Sequence, residues 1–164
     1  MRSLLKKIAV ASLLILIIIQ FIRPAKNSHA INSSKQISVV VNVPDNVNLI
    51  LKKACYDCHS NNTTYPWYSN IQPVYFWLNH HINEGKEEIN FDEFASYRLR
   101  RQYKKMQEII EQIKENEMPL SSYTIIHKNA ILTNAEKAAI TSWATLVMDS
   151  MKAKYPIDSL IKKK

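Results

Sequence analysis

Two cysteines and a histidine stand within five residues, Cys55-Tyr56-Asp57-Cys58-His59, and the chain has no other cysteine. Three chemistries use such a set. A C-x-x-C pair can cycle between dithiol and disulfide, or it can supply half of a zinc site. Followed at once by histidine, it can attach a haem. In the last case each thiol adds to one vinyl group of the porphyrin, and the histidine is held beneath the iron. Two intervening residues match the separation of the vinyl groups and leave the imidazole at the ring centre.

The two competitors ask for surroundings that the sequence does not offer. A thioredoxin-like pair belongs at a strand-to-helix turn in a βαβ unit, whereas the flanks here have helical spacing. A zinc site needs two more ligands, and His80, His81 and His127 lack the paired spacing of a finger. For a haem, the open question is the sixth ligand. Met118 lies in NEMPLSSY, a loop that Pro119 stiffens where a thioether would be presented. His80, His81 and His127 are the alternatives. Met106, Met148 and Met151 fall on helical stretches and read as packing residues. The aromatics between Tyr65 and Trp77, with Trp143, read as walls of an apolar pocket.

The elements that must position these residues are helical. One glycine in 164 residues argues against a glycine-punctuated sandwich or barrel. Val47, Ile50, Leu51 and Ala54 recur at helical spacing after Asp45, which reads as a cap, so this helix delivers the cysteines at its C-terminal end. Pro73 suits the first turn of a helix through VYFWLNHHIN, with Gly85 as its C-terminal cap. Asn90 and Glu93 open a stretch in which Met106, Ile109, Ile110 and Ile113 make an apolar stripe, ending before Pro119. Thr133 and Glu136 form a capping box for a last helix whose inner face carries Ala139, Ile140, Trp143, Leu146 and Val147. QISVVVNV, 36–43, is β-branched and reads as a short strand without a partner.

The net charge of +8 is concentrated at one end. Five of the 22 basic residues fall in 1–30 with no acid, leaving 17 against 14, or +3, over 31–164. That is an ordinary surface, and no nucleic-acid partner is expected. Residues 1–26 start with Arg2, Lys6 and Lys7, run apolar from Ile8 to Ile22 and stop at Arg23 and Pro24. They read as an export signal or a membrane anchor. Ser28-His29-Ala30 offers a cleavage site near Ala30 as the alternative to anchoring. Residues 27–44 read as a linker, 45–155 as the folded domain and 156–164 as a basic tail. No nucleophile elbow or phosphate loop points to hydrolysis.

ACYDCHSNNTTYPWYSNIQP, then EMPLSSYTIIH, then LTNAEKAAITSWA resembles the small haem-binding domain family of bacterial proteins related to c-type cytochromes. The likeness runs from about Val47 to Ala144. It implies thioether attachment at Cys55 and Cys58 and axial ligation by His59. The layout also resembles class I cytochrome c, with Met118 at the position of the loop methionine. The expectation is a mainly α, cytochrome c-like helical domain preceded by one N-terminal membrane helix and holding one covalent haem c. Such a protein carries single electrons between redox partner proteins on the periplasmic side of the membrane and is not an enzyme. Its alternatives are a haem sensor or peroxidase-like site with an open sixth position, and a thiol–disulfide oxidoreductase.

Overall fold

A computed structural model describes residues 1–162, and the chain is mainly helical, as its periodicity requires. The long helices are α1 (Arg2–Ile19), α2 (Asp45–Ala54), α4 (Val74–Glu88), α5 (Leu99–Lys114) and α7 (Asn134–Lys154); single turns form α3 (Tyr56–His59), α6 (Ser121–Thr124) and α8 (Ile157–Leu160). Among the described residues the β structure is one isolated antiparallel bridge, Ser28 with Asn62. The strand expected over 36–43 does not form. Residues Ile37–Val39 are a 3-10 turn: among the described residues no strand lies beside the segment to pair its backbone, so its amides bond locally, Val40 N and Val41 N both donating to Ile37 O.

The core is built where α7 packs along α5 and crosses α2. Val47 and Leu51 of α2, Met106 of α5 and Trp143 and Ala144 of α7 meet Phe91 and Phe94 there. A second cluster joins Ile50, Ile113, Leu132 and Ile140, with Met118 packed against it. The stripe on α5 is as its spacing predicts. On α7 the inner face is narrower than expected: Ile140 and Trp143 are buried, but Leu146 is exposed. Asp45 sits in the first turn of α2, where it favours the helix dipole, and Pro44 is the cap residue.

The capping box at the start of α7 is present in full. Thr133 Oγ1 accepts from Glu136 N at 3.2 Å, and Glu136 Oε2 accepts from Thr133 N at 2.9 Å. Glu136 also pairs with Lys53 of α2 at 2.5 Å, tying the motif helix to the last helix. The Lys53 hydrogen bond and the Thr133 backbone donor hold the Glu136 carboxyl below its ordinary value. A carboxyl lowered on folding adds stability above its unfolded value, and this is lost as pH falls through the folded one. Unfolding midpoints measured from neutral pH down through about 4 should therefore fall more steeply in the parent than in Glu136→Gln. Parallel curves would show that this carboxylate contributes nothing.

The segment 27–44, expected as a linker, is packed onto the domain. Asn27 is buried and donates to Ser60 O at 2.9 Å and Thr63 Oγ1 at 2.9 Å, and its Oδ1 accepts from Lys86 Nζ at 2.6 Å. Ile37 N donates to Phe91 O, and Trp143 Nε1 donates to Asn42 O. The basic tail is likewise not free along its length. Leu160 of α8 is buried against α5, and Lys163 and Lys164 lie outside the described residues.

The N-terminal helix forms but differs from the expected membrane span. Arg2, Lys6 and Lys7 occupy its first two turns, so the uncharged run Ile8–Ile19 is about 18 Å long at 1.5 Å per residue. A bilayer core is about 30 Å thick. No helix among the described residues is long and apolar enough to cross a membrane.

Candidate functional site

Helix α2 ends at Ala54, and the chain tightens into one further turn, with Cys58 N donating to Cys55 O at 3.2 Å and His59 N to the same oxygen at 2.9 Å. Cys55 is three residues before Cys58 and four before His59, so all three share one face of this turn. Both thiols are free and half-buried. Burial, then the neighbouring Cys58, pushes the Cys55 thiol up to about 12. Burial, then Asp57, pushes Cys58 up to about 11.

Against this turn lies α4. His59 Nδ1 is 2.8 Å from Gly85 O and 3.0 Å from Ile89 O. Carbonyls only accept, so Nδ1 carries the proton and Nε2 keeps its lone pair. Burial pushes the imidazole pKa down and keeps the ring neutral, outweighing the two carbonyls that favour its charge. This is how a protein presents histidine to a metal: the far nitrogen is fixed and the near one is left basic.

Gly85 makes the approach possible. It was expected to end α4 but sits one turn inside it, and a Cβ there would lie 2.8 Å from Cys58 O and 3.1 Å from Cys58 Cβ. The other side of the turn is held by a buried polar network. Phe91 N donates to His59 O, Asn61 N donates to Asp92 Oδ2, and Asn90 Nδ2 donates to Asn61 Oδ1. Asn90, read from sequence as a helix start, spends its side chain here, and α5 begins only at Leu99.

Two cavities of about 420 and 450 Å³ meet at the motif, sharing Cys55, His59, Glu88 and Met118 in their walls. Both fall within the about 300–1,000 Å³ usual for cofactor sites. The first is walled by aliphatic side chains, among them Leu51, Ile109, Ile113 and Ile140. The expected aromatic wall is not there. Trp67 and Trp77 are exposed, and Trp143 belongs to the core, leaving Phe91 and Tyr123, among the described residues, as the Phe, Tyr or Trp side chains that line these two cavities. Lys105 stands at the first cavity with Glu88 Oε2 at 2.7 Å and Glu108 Oε2 at 2.6 Å. Burial disfavours its charge, but those two carboxylates outweigh the burial and raise its pKa.

Met118 reaches both cavities because of how α5 stops. Asn116 adopts φ 61°, a left-handed conformation that asparagine tolerates, while Glu117 N bonds Gln112 O and Asn116 N bonds Ile113 O. This Schellman closure turns the chain back toward the motif. The loop is then clamped. Tyr123 OH donates to Asp57 Oδ2 at 2.7 Å, between the two cysteines, and stacks on His127 at 4.2 Å; His127 Nε2 is hydrogen-bonded to Tyr68 OH at 2.6 Å. His127 is thereby occupied outside the cavities. His80 is exposed beside Glu84, and His81 alone of the three lines a cavity, the second. Among the described residues no group of three or more His, Cys, Asp or Glu side chains could hold a metal ion, so the zinc alternative finds no assembled ligand set.

A neutral imidazole with its Nδ1 locked, two thiols on the same turn, a thioether at the shared wall and aliphatic surroundings are a donor set that fits a haem. The haem-binding domain family matches residues 14–146. The chain belongs to that family, and haem binding is its class of function. No curated protein and no solved structure matches the chain.

Proposed function

We propose that the protein is a mono-haem c-type electron carrier on the periplasmic side of the cytoplasmic membrane, serving redox partner proteins. The haem is attached through Cys55 and Cys58, with His59 and Met118 as axial ligands. The observation that carries this reading is the double carbonyl lock on His59 beside both thiols, with Met118 in the wall of the same two cavities. The passage of α2 into the motif turn, with α7 packed across α2, supports a cytochrome c-like layout.

Haem, once bound, supplies a reversible one-electron couple at its iron. The chain's part is to hold the imidazole in one tautomer, present the thioether from a clamped loop and keep water off the apolar faces. The raised thiols weigh against a thiol–disulfide oxidoreductase, whose attacking cysteine is lowered to form thiolate. The burial of Asn27 against Ser60 and Thr63 supports retention of residues 1–30, since cleavage near Ala30 would remove a buried partner of the motif loop.

The test is the full chain, exported in a host with haem-attachment machinery. Its haem should remain bound in denaturant, titrate with one electron, and ignore carbon monoxide when reduced. Ready uptake of carbon monoxide would overturn the carrier in favour of an open sixth position. Labelling of both cysteines by a thiol reagent would overturn attachment. Met118→Ala should lower the reduction potential by on the order of 0.1 V, since axial-ligand identity spans about 0.8 V across haem proteins, and should admit carbon monoxide. An unchanged spectrum and potential would remove Met118 from the iron and make His81 the ligand to test.

A further inference from the structure

The end of α1 is not a loose tether. Gln72 N donates to Gln20 Oε1 at 3.0 Å, Gln20 Nε2 donates to Gln72 O at 3.2 Å, and Gln72 Nε2 donates to Ile22 O at 2.7 Å. Tyr75 OH donates to Pro24 O at 3.0 Å. Gln72 is only 4% exposed, so these bonds are shielded from water and the amide is spent on holding the chain that leaves α1. The helix itself buries no residue, and Leu and Ile side chains are exposed all round it. A contiguous apolar surface of that kind marks a contact with lipid or protein.

The apolar exposure does not stop at the helix. Phe21 is 84% exposed and Ile22 is exposed beside it; on the domain side of the clasp Trp67 is 77% and Trp77 45% exposed, with Ile71 and Val74 exposed between them. Val74 and Trp77 are one turn apart on the same face of α4. Arg23 Nε donates to Gln20 O at 3.3 Å and Lys26 Nζ lies 5.1 Å from the Tyr65 ring centroid, so two cations stand by the clasp and carry the charge that anionic headgroups attract. Tryptophan beside basic residues at the end of an apolar helix is the composition of a membrane–water interface.

We propose that this face of the domain, Trp67, Ile71, Val74 and Trp77 with Phe21 and Ile22, is a seat on an anionic lipid bilayer. The Gln20–Gln72 clasp fixes its orientation to α1. The inference rests on the reading that residues 1–30 stay attached. It needs α1 in lipid. The seat also sets where the haem cavity faces. Trp77 meets His81 edge-on at 4.4 Å, and His81 lines the second cavity, so that cavity stands one helical turn from the lipid surface.

The experiment uses the full haem-loaded chain in vesicles of phosphatidylcholine with phosphatidylglycerol. Flotation reads attachment, and hydroxyl-radical oxidation followed by mass spectrometry reads side-chain exposure. A chain carrying Leu13→Lys, Leu16→Lys and Ile17→Lys in α1 stays in solution and supplies the reference rates, because α1 buries nothing in the domain. The expected result is a floating parent in which Trp67 and Trp77 react several-fold more slowly than in the reference, while exposed Leu146 reacts equally in both. A floating parent with Trp67 and Trp77 at reference rates overturns the seat and leaves the attachment standing. A parent that does not float overturns both. Protection of the two tryptophans in a lipid-free dimer assigns the face to a second copy and overturns the lipid seat.

Discussion

A chain carrying Cys55→Ala and Cys58→Ala together should leave an attachment-competent host at the bare polypeptide mass, whereas the parent gains the mass of one haem. The effect is all or none, because these are the only thiols in the sequence. The tight turn brings both to the same face as His59, so the two thiols and the imidazole are presented as one unit. The apolar cavities beside them then have no covalent occupant, and the double variant should also unfold at a lower temperature. Each single variant keeps one attachment point and should give a mass between these extremes only as a mixture of loaded and bare chains. Haem that stays bound to the denatured double variant would sink the thioether assignment. A bare parent, made beside working machinery, would do the same.

The second large effect is expected at Gly85. Alanine in the body of a helix ordinarily adds about 1 kcal/mol over glycine. Here the new Cβ would meet the Cys58 carbonyl oxygen at 2.8 Å, and that oxygen belongs to backbone and cannot swing aside. Overpacking of this kind costs about 1–3 kcal/mol, which outweighs the gain in helix propensity. Helix α4 and the motif turn must part. Gly85 O is also one of the two acceptors for His59 Nδ1, so the parting loosens the imidazole as well. Gly85→Ala should therefore lower the urea midpoint and shift the reduction potential together. A variant at least as stable as the parent, with an unchanged potential, would show that the close crossing is not needed.

The motif, the helical class and the capping box could all be read from local spacing, because each depends on residues within one or two turns of one another. C-x-x-C-H is read over five positions, and Thr133 and Glu136 sit three apart. Misreadings arose where a residue serves a distant partner. Gly85 resembles a helix end by type, yet its missing side chain answers to Cys58, 27 positions earlier. Asn90 resembles a cap, yet its amide is spent on Asn61. The polar run from Asn27 has no period to mark it as structured, but one asparagine in it closes a network with Ser60, Thr63 and Lys86. A cue for Gly85 did exist: the only glycine of the chain lies within a helical pattern, where it weakens the helix and so asks for a packing reason.

The sequence by itself determined which atoms can do chemistry here, two thiols and an imidazole in fixed order, and that helices must carry them. Those properties follow from covalent spacing and from the period of the apolar residues. The tertiary structure alone decided which nitrogen of His59 is left basic, because that is set by two carbonyls from α4 and the residue after it. It also decided that Met118 shares both cavities while His80 and His127 stand outside them. Both outcomes depend on where one helix ends against another, and no local pattern encodes a distance between elements that are far apart in the chain.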